Sequence, residues 1–567
     1  MENIIFELGL IIGLATILVL IFKFVKQPPI IAYMITGILA GPLFFNFLHS
    51  TTLFESFSHI AVALLLFIVG LNLDFRIMKN FGKVSFVVGI GQLLITAGLG
   101  FFLGRYLGFS DISAIYISIA LAFSSTFVVV KLISDKRELD TLHGKIALGI
   151  LIVQDFIAAL VLTVFPVLDI AGGLVYTQLA KVAFLVAVVF ILSYFFVPAI
   201  FSFAAKNQEV LFLFGLSWAL LISLLFNYLG FSLEVGALVA GMALASSKYS
   251  LMISSKTKGL RDFFVLLFFV FFGSYLVGPF DSRMIISAVA FSLLVLIGNP
   301  IIIMGLMKSF GYKKRTSFFT GISLAQISEF SLVFMLIGFT NGVISSSVFS
   351  LIILVALITI ALSSYSLFYS HLLYRILSPA LRIFDSKRSN NEHETIKEKS
   401  YDVILFGYNR IGFNLLSSLD KKRKRYLVVD YNPETIKLLS GKGVSCIYGD
   451  AQDSELLKEL RLDEAKLVIS TIPEVNVNLT ILRNLNLRKT GFMPTAHFIG
   501  DAEKLYEAGA NYVIMPHFLG GELASHLLLR TEFDKGKLSQ EGRKHLAGLA
   551  DRIAEGHRHP TSDYHGD

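Results

Sequence analysis

The chain has 567 residues, 55% of them hydrophobic and 16% charged, with a formal net charge of +8 and a single cysteine, Cys446. It is too apolar for soluble domains alone and too charged to lie in a membrane throughout, and one cysteine excludes an intrachain disulfide or a cysteine-built metal cage. The surplus Lys and Arg sits in short loops between apolar runs, so topology and anionic lipid headgroups account for it and nucleic-acid binding is not expected.

From Met1 to about Pro379, apolar runs of about 20 residues recur, the length an α-helix needs to cross a hydrocarbon core of about 30 Å. Thirteen segments, centred near residues 13, 37, 65, 95, 122, 156, 190, 217, 238, 269, 295, 328 and 360, read as transmembrane helices. The first is followed by Lys23 and Lys26 and has no basic leader, so it is not expected to be a cleaved signal. One set of alternate loops carries most of the basic residues, among them Arg76, Lys79, Lys131, Lys136, Lys145, Lys256, Arg261, Lys313 and Arg315. By the positive-inside rule that set is cytoplasmic, which puts the N-terminus outside and the C-terminal region in the cytosol.

Self-comparison finds an internal repeat. Ala32 to Gly41 matches Gly236 to Ala245, Leu65 to Gly70 matches Phe268 to Gly273, and Ala122 to Phe127 matches Ala325 to Phe330, all at an offset of 203 or 204 positions. Corresponding segments are seven spans apart, so the two copies cross in opposite senses, the inverted-repeat plan of secondary transporters. Such folds place substrate at the midplane where two helices are interrupted. The polar stretches Ser124, Ser125 and Thr126 in the fifth span and Ser328 and Glu329 in the twelfth are the expected interruptions. The fold class is thus an all-α polytopic membrane domain with two interrupted crossing helices, followed by an α/β domain.

In the sixth span one carboxylate, Asp155, lies near the middle of an apolar run that holds no basic residue. A carboxylate there costs about 2.5–3.5 kcal/mol to insert, so it is read as functional, alternating between a proton and a cation. Gln154 beside it offers an uncharged oxygen to a large, weakly hydrated cation. Glu329 is a second candidate, with pairing to a basic residue or a cap on the interrupted helix as its structural alternatives. The position 203 residues beyond Asp155 is Ile358, so the ion site is expected to be asymmetric.

The membrane domain spans residues 1–379 and a charged linker residues 380–400. From Tyr401 a β-run leads into a glycine turn, Gly407 to Gly412, an apolar helical pattern and a second β-run ending at Asp430, with further β-runs at Val444 to Ala451 and Leu467 to Thr471. This predicts a Rossmann-like nucleotide-binding domain over 401–530. Gly407, Asn409, Arg410 and Gly412 would hold phosphate at the helix start and Asp430 a ribose diol, with Asp450, Ala451 and Thr471 lining the site. Asn409 in place of a middle glycine restricts a pyrophosphate and favours a mononucleotide. No catalytic arrangement accompanies the fold, so the domain reads as a sensor. Residues 531–567, with His545, His557, His559 and His565, read as a disordered tail.

Taken together, Gln27 to Tyr33, Gly41 with Pro42, Leu64 to Asp74, Ser124 to Thr126, Gln154 with Asp155, and Ser328 to Phe330 resemble the cation:proton antiporter-2 family. Gln154 with Asp155, and an attached RCK-type N-lobe carrying Gly407 to Gly412, Asp430 and Gly449 to Ala451, resemble its Kef-type potassium/proton branch. The resemblance implies a potassium/proton antiporter, not an enzyme, working as an elevator in a prokaryotic plasma (inner) membrane. It implies K⁺ and protons competing for Asp155, with no other metal, and a homodimer joined through its membrane and RCK domains. It also implies an adenine nucleotide (AMP, ADP, ATP or NAD(H)) as regulator, and glutathione or an ancillary subunit as further partners. Four departures from the family pattern stand out, three of them single positions. Asn72 stands where Glu is usual and Ser328 where Gly is usual. Asn299 stands where electrogenic sodium relatives carry Lys, which points to electroneutral exchange. The second RCK subdomain is missing. Sodium/proton exchange is the near alternative. A nucleotide-gated potassium channel would need a carbonyl filter that the sequence lacks.

Overall fold

A computed structural model describes residues 2–46, 51–72, 82–136, 138–139, 141–170, 175–204, 208–231, 233–245, 247, 250–278, 280–384, 401–408, 411–422, 424–451 and 454–554. The linker at 385–400, Asn409, Arg410 and the histidines beyond residue 554 lie outside these. The chain divides into two compact units, Met1–Leu139 with His143–Lys387, and Asp140–Leu142 with Arg388–Asp567.

The first unit is helical throughout its described length. Its first half holds α1 (Glu2–Phe24), α2 (Pro29–Ala40), α3 (Thr51–Asn72), α4 (Gly82–Tyr106), α5 (Asp111–Ala122), α6 (Thr126–Asp135), α7 (Leu142–Ile170) and α8 (Val175–Ala204). There follow α9 (Gln208–Tyr228), α10 (Leu233–Ala245), α11 (Ser250–Ser274), α12 (Ser282–Leu293), α13 (Asn299–Ser309), α14 (Lys314–Ser323), α15 (Glu329–Thr340), α16 (Ser346–Phe368) and α17 (Ser370–Leu377). By length and composition, seven helical stretches among the described residues are apolar enough to cross a membrane. Each of the thirteen segment centres falls in a helix or in an interruption between two helices.

Among the described residues, two of the helical stretches are interrupted and a third is irregular. Phe123 to Ser125 separate α5 from α6, and Leu324 to Ser328 separate α14 from α15. A third irregularity, absent from the sequence reading, is a π-turn over Leu294–Gly298 that joins α12 to α13 and delivers Asn299. Such turns insert a residue and re-aim the side chains that follow.

The repeat has a physical counterpart in how the halves pack. A Cβ on Gly37 of α2 would lie 2.9 Å from Gly273 Cα and overlap the Val270 carbonyl of α11, while a Cβ on Gly241 of α10 would lie 2.9 Å from Gly70 Cα and overlap the Phe67 carbonyl of α3. Gly37 corresponds to Gly241 and Gly70 to Gly273 in the repeat, so α2 on α11 and α3 on α10 are the same backbone-to-backbone crossing made twice. Small residues permit this approach, which membrane helices use for van der Waals contact where no hydrophobic drive brings them together. Around these crossings Phe268, Phe272, Phe291, Phe330 and Phe349 form a buried aromatic core.

The second unit carries β1 (Val403–Phe406), β2 (Tyr426–Asp430), β3 (Cys446–Tyr448), β4 (Leu467–Ser470) and β5 (Gly491–Met493) in one parallel sheet of order β3-β2-β1-β4-β5. All four residues of β1 are buried, as both faces of a central parallel strand require. The helices of this unit are α18 (Gly412–Lys421), α19 (Pro433–Gly441), α20 (Ser454–Glu459), α21 (Val475–Arg483), α22 (Ile499–Glu507), α23 (Pro516–Thr531) and α24 (Lys535–Ala554). Two features correct the sequence reading. A fifth strand, too short to show a pattern, extends the sheet, and most of the expected disordered tail is helix α24, whose leucines Leu538, Leu546 and Leu549 are spaced for one face.

Candidate functional site

Interrupting a helix frees backbone groups that water cannot reach, so neighbouring side chains must take them up. At the first break, Ser125 caps α6 by accepting from Val128 N–H at 3.2 Å. Ser124 N–H donates to Gln154 Oε1 at 3.2 Å, and the Ala122 carbonyl accepts from Gln92 Nε2 at 3.2 Å. At the second break, Ser328 caps α15 by accepting from Phe330 N–H at 3.1 Å, and Ser363 donates to Gln326 Oε1. The breaks are tied together, because the Ser124 hydroxyl donates to the Leu324 carbonyl at 2.9 Å.

This arrangement sets the N-terminal ends of α6 and α15 beside one another, each a locus of partial positive charge. Glu329, the first residue of α15, lies between them and accepts from its own N–H, the Ser125 hydroxyl and the Phe127 N–H. Its carboxylate thereby caps both half-helices, the structural role that the sequence left open. Thr126, the repeat counterpart of Glu329, faces the other way. Its hydroxyl is 3.0 and 2.9 Å from the two oxygens of Asp155, one proton shared between both. Asp155 is 7% exposed on α7, and it is close enough to Glu329 for their charges to interact.

All five residues that the sequence nominates around the cation therefore converge: Ser124, Ser125 and Thr126 from the break, and Gln154 and Asp155 from α7. Their parts differ from one another. Asp155 and Thr126 present oxygens to a common point, whereas Gln154 spends its carbonyl oxygen on Ser124 N–H and its amide on Gln92. Gln92 was not singled out in the sequence, because a lone amide in an apolar helix carries no periodic signal.

In the second unit the glycine turn follows β1. Gly407 has φ +85°, and a Cβ on Gly412, where α18 begins, would overlap the Gly407 carbonyl. Both positions therefore require glycine, the first for its conformation and the second for close approach. Asp430 is buried at the end of β2, where Oδ2 accepts from Tyr408 N–H and Oδ1 from Asn432 N–H, each at 2.8 Å. Thr471, just beyond β4, donates to the Phe406 and Gly407 carbonyls at 3.2 and 3.0 Å. Asp430 and Thr471 thus brace the turn from either side at the carboxyl ends of β1, β2 and β4, where the strand order reverses and doubly wound sheets bind ligands. Ala451 is buried and Asp450 half-buried beyond β3 at the same end of the sheet.

Comparison with known proteins accords with both halves. A family model described as sodium/hydrogen exchanger, transmembrane, matches residues 10–369, and one for the TrkA-N domain matches residues 403–516. YbaL of Escherichia coli (strain K12), whose name assigns it cation/proton antiport, is 27% identical over 88% of this chain and 93% of its own length. K(+) efflux antiporter 5 of Arabidopsis thaliana is 27% identical over 70% of this chain and 71% of its own. The solved sodium proton antiporter MjNhaP1 from Methanocaldococcus jannaschii superposes with a TM-score of 0.50 over 67% of this chain and 99% of its own at 16% identity, a likeness of fold. With the exchanger model spanning more than half of the sequence and a TrkA-N domain behind it, the chain belongs to the sodium/hydrogen exchanger family as a Kef-type cation:proton antiporter, a transporter and not an enzyme.

Proposed function

We propose that the protein exchanges K⁺ for H⁺ across a prokaryotic inner membrane, with cation and proton competing for Asp155. The observation that carries the reading is the pairing of one buried carboxylate with the Thr126 hydroxyl at the mouth of an interrupted helix. A monovalent cation can displace the proton carried by the Asp155 carboxyl and gain the carboxylate oxygens together with the Thr126 hydroxyl oxygen. Because Glu329 is occupied in capping two helix ends, Asp155 is the one carboxylate of the pair free to cycle. Neutral Asn299 adds no fixed positive charge, which suits one cation exchanged for one proton. The name of the plant relative favours potassium, while the family as a whole admits sodium.

The same reading takes the thirteen apolar segments as thirteen spans, with the N-terminus outside and the TrkA-N domain in the cytosol. The inverted repeat supports elevator-type movement of a homodimer. An adenine nucleotide at the glycine turn would regulate exchange.

The test is cation-dependent collapse of an imposed pH gradient in proteoliposomes, with K⁺, Na⁺ and Li⁺ in turn. Exchange with K⁺ is expected for the wild type, and a loss of at least about a hundredfold for Asp155→Asn, which removes the only proton the site trades. Undiminished exchange in that variant would remove the mechanism, and Na⁺ outpacing K⁺ would reassign the ion.

A further inference from the structure

Two backbone groups at the first break determine the polarity of a chain of side chains leading away from it. Ser124 N–H can only donate, so Gln154 turns Oε1 toward it and Nε2 toward Gln92 Oε1. The Ala122 carbonyl can only accept, so it takes Gln92 Nε2, in agreement with the first end. Gln92 Nε2 also reaches Thr96 Oγ1 at 3.1 Å, and Thr96 in turn gives its proton to Asn299 Oδ1 at 2.7 Å. Thr96 and Asn299 are 203 positions apart, the repeat offset, so this bond joins a residue to its own counterpart and ties the two halves together. Gln92, Thr96 and Asn299 are each 0% exposed, and the chain ends on Asn299 Nδ2, which has no acceptor among the described residues. With both ends committed, neither glutamine can turn over without leaving further buried donors unpaired.

We propose that Gln92 is a positioning residue for cation exchange, holding Gln154 and the first break in the register that sets Thr126 against Asp155, without touching the cation itself. The inference rests on Asp155 as the exchange site. Asp155 directly follows Gln154 on α7, and Thr126 follows the break by one residue. Their spacing therefore depends on how α7 is fastened to Phe123–Ser125, and the Gln154–Ser124 bond is that fastening. Gln92 secures it from behind, gripping Gln154 and the Ala122 carbonyl with one amide. The residue 203 positions beyond Gln92 is Val295, so the device is built on the Asp155 side alone.

The experiment compares purified full-length wild type with Gln92→Leu, Gln92→Glu, Thr96→Val and Asp155→Asn in proteoliposomes, measuring the half-saturating K⁺ concentration and the maximal rate from pH 6 to pH 9. Gln92→Leu should raise half-saturation roughly tenfold, as loss of supporting partners does at other ion sites, with the maximal rate within about twofold. Thr96→Val should shift it in the same direction by less. Gln92→Glu can accept from Gln154 at any pH but donates to Ala122 only when protonated, so its half-saturation relative to wild type at the same pH should grow as pH rises. If Gln92→Leu does not survive purification, the pH trend of Gln92→Glu and the shift in Thr96→Val decide the matter. Wild-type half-saturation and pH profile in the Gln92 and Thr96 variants, beside an inactive Asp155→Asn, would overturn this proposal and leave the exchange site standing. Full activity in Asp155→Asn would overturn both.

Discussion

Glu138 shows what a single half-buried carboxylate does away from the ion site. It lies between α6 and α7, with Oε2 3.2 Å from His143 Nε2, Oε1 3.3 Å from His371 Nε2 on α17, and Lys136 Nζ at 3.7 Å. Lys136 also donates to the Ser370 hydroxyl at 2.6 Å, so the loop joining the Thr126 and Asp155 helices is pinned to the start of α17. Burial opposes the charge, but the two imidazole hydrogen bonds and the Lys136 charge outweigh it and hold the Glu138 carboxyl well below the usual carboxylate range. A carboxyl whose pKa is lowered by folding stabilises the protein above its ordinary value and loses that contribution as pH falls toward its folded value. Glu138→Gln should therefore destabilise the protein by on the order of 1–2 kcal/mol at neutral pH. In thermal melts in detergent, the gap from wild type should close as pH is lowered from the ordinary glutamate value of 4.5. A gap that is constant with pH would deny the charge its role. Asp155 was legible as a residue because one carboxylate in an apolar run is conspicuous. Gln92 was not, because its meaning lies in partners 30 and 62 positions away.

Among the elements, the glycine crossings are the most demanding feature. α2 and α11 meet backbone to backbone, so Gly37→Ala places a methyl against the Val270 carbonyl and Gly273. The expected cost is about 1–3 kcal/mol, with lower yield and melting temperature, because neither helix can withdraw without opening the aromatic core. Gly13→Ala in α1, with nothing within 4 Å of the added carbon, is the matched control and should be silent. Equal effects from the two would show that the crossing is loose. The repeated glycines were readable as a pattern, but their pairing was not. Nothing along the chain says that the first element of one repeat packs on the second element of the other. The π-turn before Asn299 was equally hidden, since one inserted residue leaves the apolar composition of a span unchanged.

At the scale of the whole molecule, the second unit makes a prediction separable from transport. Its glycine turn is braced by Asp430 and Thr471 through bonds to the backbone, so replacing Asp430 by alanine would unfold the turn along with any ribose contact. Asp430→Asn keeps an acceptor there and is the better probe. Thermal melts with AMP, ATP and NAD should show stabilisation of about 2.7 kcal/mol at a hundredfold excess over Kd, diminished in Asp430→Asn. Silence to all three nucleotides would leave a structural module. By itself, the sequence determined the two-part plan, the internal repeat, the interrupted helices and the carboxylate, because hydrocarbon and a parallel sheet each impose length, periodicity and polarity that composition must obey. Tertiary structure alone decided the rest. It put Gln154 on the break and not in the open, made Glu329 a cap for two helices, turned much of the expected loose tail into α24, and closed the Gln92–Thr96–Asn299 chain. Apart from α24, which stays exposed, the deciding force is a buried hydrogen-bonding group that must find its partner on another segment, a requirement that no local stretch of sequence records.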